Sequence, residues 1–354
     1  MFTLSSDVLS MTDEAAALLQ NRRLVFANAA ARSILGSDCI GKGIRELFGD
    51  EVAESQAPQF VASVPIAGRS RLMRFSREGT MQIVFFTRPD PDVALFSDAY
   101  LQALRSGLMN LNLAASAGQR AADELGNLPL LQSFQSLNRE YYKLSRLLSN
   151  ISTARSILAG DLPMALRTVD LGAIVSDLVD SVSLLRPDVE IQFTADRRVL
   201  LWADSQLLEL LLMNLLSNCL THAVGLKRIR IEILGLSDRV YLTVRDDGRG
   251  IPAEKMSTLF HGYRAAFSLH EMSAGAGLGM TVIRGITEAH GGALMLESRE
   301  DAGTMVRLSL SRALGGQNRL AEESVPYTSS IDRLLTGLAA CLPDECFSGQ
   351  YREI

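Results

Sequence analysis

The spacing of hydrophobic and polar positions changes twice along the chain, which separates three kinds of element. Up to about residue 90 the apolar runs are short and bounded by turn residues. Arg23–Asn28 (RLVFAN) reads as a strand, and Ala29–Leu35 (AAARSIL) as a short helix closed by Gly36. Gly41-Lys42-Gly43 and Ile44–Phe48 follow, then two predicted strands, Arg71–Arg77 and Met81–Thr87, around a turn at Glu78-Gly79. Arg88-Pro89-Asp90-Pro91-Asp92 reads as a linker. From 95 to 160 the apolar period becomes 3.5. Leu101, Leu104, Leu108, Leu111, Ala115, Gly118, Ala122 and Leu125 step by threes and fours, and after Gly126-Asn127-Leu128-Pro129 so do Leu130, Phe134, Leu137, Tyr141, Leu144, Leu148 and Ile151. This predicts two helices in an antiparallel hairpin, each with one apolar stripe. One hairpin cannot cover both stripes, so the expectation is a four-helix bundle formed by two chains, with packing on the chain's own other domains as the alternative.

From Leu166 onward strands and helices alternate. Predicted strands are Ile191–Ala195, Val199–Trp202, Ile229–Leu234, Val240–Arg245, Ala293–Ser298 and Thr304–Leu310; predicted helices are Leu171–Leu185, Ser205–Leu220 and Gly279–His290. That order implies an α/β layer with helices on one face of a mixed sheet. A polar linker, Gly315–Ser330, precedes an amphipathic helix, Ile331–Leu342, that stops at Pro343. The expected domains are 1–92, 93–162, 163–313 and 314–354.

Composition narrows the class. The 354 residues carry a net charge of -5, which gives no footprint for a polyanion and argues against nucleic acid as a partner. Cys39, Cys219, Cys341 and Cys346 have neither metal-ligand nor disulfide spacing and fit a reducing compartment. No apolar run reaches the length of a membrane span; the most apolar stretch, Leu207–Leu220, is interrupted by Glu209, Asn214, Ser217 and Asn218. The N-terminus lacks a basic, then apolar, leader pattern, so the expected location is cytoplasmic.

Four segments of the C-terminal half combine residue types that suit a nucleotide. Asn214 and Asn218 lie four apart, on one helix face otherwise dominated by leucine, and an amide oxygen suits a hard cation such as Mg²⁺. Val244–Pro252 (VRDDGRGIP) runs a strand into a Gly-x-Gly turn; the carboxylate can accept from an exocyclic amine while the glycines lie flat against a ligand. Gly275–Met280 (GAGLGM) opens a helix whose N-terminal N–H groups favour phosphate. His290-Gly291-Gly292 ends that helix and turns into a strand.

In this order the segments resemble the GHKL ATPase superfamily and, within it, the catalytic domain of sensor histidine kinases, over about residues 165 to 312. N-L-L-S-N is similar to the N box, D-D-G-R-G-I-P to the first glycine box, G-A-G-L-G-M to the second, and H-G-G-A-L-M-L-E-S with the following G-T to the closing strands. The resemblance implies ATP and Mg²⁺ as ligands. Asn218 would hold the metal with Asn214 beside the phosphates. Asp246 would receive the adenine amino group, Gly248 and Gly250 would shape the adenine pocket, and Gly275, Gly277, Leu278 and Gly279 would meet the phosphates. Ala253–Ala274 would be a lid, with Leu259-Phe260 as a reduced F box. Thr221 stands where the family often has a basic residue, and His222 where an aromatic is common. The N-terminal order of strand, N-A-A-A, helix and G-x-G-I-x-x-L-F resembles a PAS sensor domain; a small α+β domain of other descent is the alternative. The fold class expected is therefore multidomain: an α+β PAS-like domain, the two-helix hairpin, and an α/β sandwich of the GHKL type.

The same resemblance places the phosphoacceptor histidine on the first hairpin helix, in a pattern like S-H-E-L-R-T-P-L. Leu104-Arg105 and Leu108 fix the register, which puts Gln102 at the acceptor position, Ala103 at the assisting acid and Gly107 at the proline. The first 221 residues contain no histidine; His222, His261, His270 and His290 all lie later. An amide nitrogen is not a nucleophile, so self-phosphorylation by the family route is not expected. The reading is a cytoplasmic two-component-type signalling protein, homodimeric or paired with a complete histidine kinase, with a response regulator as a further candidate partner, and acting as regulator or trans-kinase. The alternatives are a GHKL ATPase or a kinase of a residue in a partner protein. Glu209 lies off the Asn face, which disfavours the ATPase.

Overall fold

A computed structural model describes Leu9, Thr12 and residues 14–66, 69–86, 98–195, 198–252, 278–312 and 330–347. The first unit is β1 (Ala15–Gln20), β2 (Arg23–Ala27), α1 (Ala29–Leu35), α2 (Ile44–Glu54), β3 (Gln59–Ile66), β4 (Arg69–Glu78) and β5 (Met81–Phe86). Strands β1 and β3 had not been expected. β3 is nearly continuously buried, so it lacks the polar alternation that marks a one-sided strand. Asn28 ties the unit together: its Oδ1 accepts from the N–H groups of Ala31 and Ala16 at 2.9 and 3.1 Å, which caps α1 and anchors β1.

Two long helices follow, α3 (Asp98–Glu124) and α4 (Leu128–Ala159), joined at Gly126-Asn127, where Asn127 Oδ1 accepts from Leu130 N–H at 3.2 Å. They meet through small and polar residues. Ala115 and Ala122 are buried, and a Cβ on Gly118 would lie 2.2 Å from the Phe134 ring. Asn138 Nδ2 donates to Gln119 Oε1 at 2.5 Å. Most of the leucine stripe faces outward instead: Leu104, Leu111, Leu125, Leu130, Leu137 and Leu144 are exposed. Close helix approach at Gly118 leaves room for a ring but not for opposed leucines.

The third part comprises β6 (Arg167–Asp170), α5 (Leu171–Leu185), β7 (Glu190–Ala195), β8 (Leu200–Ala203), α6 (Ser205–His222), β9 (Arg228–Gly235), β10 (Arg239–Asp246), α7 (Leu278–Ala289), β11 (Leu294–Ser298) and β12 (Thr304–Ser311). β6, not expected from the sequence, pairs with β8 in a two-stranded sheet. Alternation builds the core: Ile229, Ile231 and Ile233 of β9 and Val240, Leu242 and Val244 of β10 are all buried, each such side chain contributing about 1.5–3 kcal/mol relative to exposure. The C-terminal helix, α8 (Ser330–Leu338), ends earlier than expected. The residue before Pro343 cannot stay helical, and the chain passes through a turn from Cys341 N–H to Leu338 O into a 3-10 turn at Asp344–Phe347. Among the described residues no helix is long and apolar enough to cross a membrane.

The first and third parts share one ten-stranded sheet, ordered β2-β1-β5-β4-β3-β11-β12-β10-β9-β7. All pairs are antiparallel except β7 with β9, and the joint is β3 on β11, with Val61 opposite Leu296 and Ser63 opposite Leu294. Leu294 and Leu296 point into the core of the third part, while Met295 points into the core of the first. Helices thus cover opposite faces of the sheet on either side of the joint. Ser55 Oγ donates to Glu297 Oε1 at 2.6 Å beside it.

Asp204 caps α6, its Oδ1 accepting from Gln206 and Leu207 N–H at 2.9 and 3.1 Å and its Oδ2 from Ala165 N–H at 2.7 Å. Asp204→Ala is expected to lower stability by about 1–2 kcal/mol, with Asp204→Asn recovering most of that, measured by urea unfolding.

Candidate functional site

Helix α6 presents Asn214, Ser217 and Asn218 on one face, because positions three and four apart align. Asn214 is 1% exposed. The face meets the start of α7: a Cβ on Gly279 would lie 3.0 Å from Asn214 Oδ1 and 3.6 Å from Asn218 Oδ1. Asn218 Nδ2 donates to Met280 Sδ at 3.4 Å, and its oxygen accepts no hydrogen bond among the described residues. Leu278 is buried at the first turn of α7.

Asp246 ends β10 and is buried. Its Oδ1 accepts from Gly248 and Thr304 N–H at 3.0 and 3.2 Å, and burial raises its carboxyl above the ordinary range against those two bonds. The Cys219 thiol, one residue beyond Asn218, hydrogen-bonds to Asp246 and is itself pushed up by burial. The Asn face of α6 and the carboxylate of β10 are therefore neighbours. Gly248 and Gly250 sit where no side chain fits. A Cβ on Gly248 would be 2.4 Å from Ala223 Cβ, and one on Gly250, at φ 73, would be 2.1 Å from Arg299 O. Asp247 Oδ1 accepts from Lys227 and Arg228 N–H, both at 2.9 Å, and fastens the turn to the start of β9. Gly275, Gly277, His261, His270 and the segment Ala253–Ala274, with Leu259 and Phe260, lie outside the described residues.

A fourth element reaches this face that sequence reasoning had assigned only to the stalk. Asn150 of α4 exchanges two bonds with Asn214, Nδ2 to Oδ1 at 3.1 Å and Oδ1 from Nδ2 at 3.2 Å. Arg146, one turn earlier, donates from Nη1 to Ser217 Oγ at 2.6 Å and from Nη2 to Asn214 Oδ1 at 3.3 Å. The only trace of this in the sequence is a polar pair four apart on an otherwise apolar helix face. Thr221 and His222 are exposed at the far end of α6, and Gln102 is exposed on α3. Glu209 is ion-paired with Arg333 of α8 at 2.8 Å.

His290 is fully buried. Its Nδ1 lies 2.8 Å from Ile286 O and its Nε2 accepts from Asp204 N–H at 3.1 Å, which requires the neutral ring protonated at Nδ1.

An amide oxygen with no donor among the described residues, a second amide beside it, a buried carboxylate with backbone support and a helix N-terminus form a donor set suited to a metal-bound nucleotide. Residues 203–314 match the family described as histidine kinase-, DNA gyrase B-, and HSP90-like ATPase. This segment is a GHKL ATPase domain. Sensor protein IrlS of Burkholderia pseudomallei is 31% identical over 208 residues, 57% of this chain and 44% of that protein. Sensor histidine kinase YkoH of Bacillus subtilis is 28% identical over 189 residues, 53% of this chain and 41% of that one. The chain thus spans less than half the length of either relative. Among solved structures, histidine kinase AdeS of Acinetobacter baumannii matches at 17% identity and a TM-score of 0.42 over 58% of this chain and 96% of that one. Histidine kinase ThkA in complex with response regulator TrrA matches at 19% and 0.39 over 87% and 98%.

The GHKL domain's His290 titrates below the ordinary value of about 6.5 because burial disfavours its charged form. A lowered folded value means that the unfolded chain takes up the proton first as pH falls. Stability from this group is complete above about pH 6.5 and is lost on acidification below it. Urea unfolding from pH 8 to 5 is expected to show this slope in the native protein and a smaller slope in His290→Gln.

Proposed function

We propose that the protein is a two-component-type signalling protein whose GHKL domain binds ATP with Mg²⁺ and which does not phosphorylate itself. The observation that carries the reading is the pairing of an Asn- and Asp-furnished cleft with a stalk helix that has Gln102 at the acceptor position and no histidine anywhere before His222. Asn218 would hold Mg²⁺, which supplies charge neutralisation at the phosphates when bound. Asp246, fixed by Gly248 and Thr304, accepts from the adenine amine, and Leu278 and Gly279 offer the start of α7 to the phosphates. In phosphoryl transfer most of the work is positioning and electrostatics, so such a domain can act on a histidine of another chain.

The outward leucines of α3 and α4 support pairing with a second stalk, either of this chain or of a complete histidine kinase, and hence action as regulator or trans-kinase ahead of a response regulator. The cysteines are free, in keeping with a cytoplasmic location. The PAS-like unit is the proposed input. Glu209, neutralised by Arg333, is badly placed to activate water, so the kinase-derived reading is preferred to an independent ATPase.

Incubation with γ-labelled ATP is expected to give bound nucleotide without acid-labile label on the isolated protein; acid-labile label on it would contradict the reading. Asp246→Asn is expected to weaken ATP binding by about tenfold or more, since it removes a charged acceptor. Unchanged affinity would move adenine elsewhere.

A further inference from the structure

Both hydrogen-bonding atoms of the Asn214 carboxamide are fully engaged. Its oxygen takes Arg146 Nη2 and Asn150 Nδ2, and its nitrogen gives to Asn150 Oδ1 and, at 2.9 Å, to Leu210 O. An amide oxygen has two lone pairs, so none is left for a metal or for a metal-bound water. The guanidinium beside it adds positive charge where a divalent cation would approach. Arg146 has no carboxylate partner among the described residues, and burial lowers its pKa. We propose that α4 is an intramolecular competitor for the nucleotide site: Arg146 and Asn150 hold Asn214 in a closed state, and Mg²⁺-nucleotide binds after α4 leaves this face. This rests on the nucleotide reading above.

The docked position is extensively built. Asn150 is 6% exposed, and a buried amide in a helix is tolerated only when its polar atoms are matched, as they are here by Asn214. Further along, the contact continues on α7, where a Cβ on Gly285 would lie 2.4 Å from Ile157 Cγ2. The C-terminal segment brackets the arrangement. Tyr142 Oη donates to Asp332 Oδ1 at 2.7 Å and Arg139 Nη1 meets Asp344 Oδ1 at 2.7 Å, while Arg333 of the same segment holds Glu209 of α6. α8 and the following turn thereby fasten α4 to α6, which gives the tail a defined role as the clasp of the closed state.

If the closed state dominates by ten to one, apparent affinity falls by about the same factor. MgATP binding by titration calorimetry is therefore expected to tighten roughly fivefold or more in Asn150→Ala and in Arg146→Ala. Unchanged affinity in both overturns the proposal, and weaker binding in Arg146→Ala overturns it by making Arg146 a phosphate ligand. A second test uses the full chain with Ile157→Cys and Gly285→Cys, the cross-link confirmed by mass spectrometry. The oxidised form is expected to bind MgATP at least about tenfold more weakly than the same protein after reduction. Equal binding in the two forms sinks the competition while leaving the nucleotide reading intact. No binding by any form, with native circular dichroism, removes both.

Discussion

His290 lies at the C-terminal end of α7 and Asp204 at the start of α6, and the bond from the Asp204 N–H to the ring joins those two ends. At the other end of α7, Gly279 meets Asn214, about midway along α6. Two helices pinned at one pair of ends cannot slide, so the amide face of one is held in register with the first turn of the other. Asp204 serves both purposes, because its side chain caps α6 while its backbone reaches the imidazole. The register of the Asn face against α7 thus depends on a buried ring at the far end of α7.

Much of the third part was legible because its signals are local and repeated. The α5 boundaries, Leu171–Leu185, follow from a sharp apolar period, and the strands β9 and β10 from strict alternation. Asn214, Asn218 and Asp246 stood out for a different reason: polar residues at set spacings inside apolar elements need partners, and Asn214 and Asp246 have them within the protein. The glycines were readable as motif members, yet Gly248 and Gly250 are needed first by neighbouring protein atoms, Ala223 and Arg299. What could not be read is non-local. Nothing in the spacing of Arg146 and Asn150 says which surface they face, since the partner lies more than sixty positions away, at Asn214.

The hairpin shows the same limit in another form. A 3.5-residue repeat identifies a stripe but not what lies against it. In this protein the helices approach through Ala115, Gly118 and Ala122, and one side of α4 is taken by α7, α8 and the 3-10 turn, with side-chain bonds to α6. The leucines are left for another surface. Part of the stripe thus packs within the chain, and the leucines of the remainder are exposed.

The joint between β3 and β11 has a mechanical consequence. Without β3, strand β11 would be an open rim, a template for unwanted pairing. With it, the first and third parts belong to one hydrogen-bonded plate, seamed by four residue pairs from Leu294 to Glu297. A plate transmits torque. Any distortion of the first unit must either warp the strand that follows α7 or unzip that short seam, so among the described residues the two parts meet through a strand pairing and not a slack hinge.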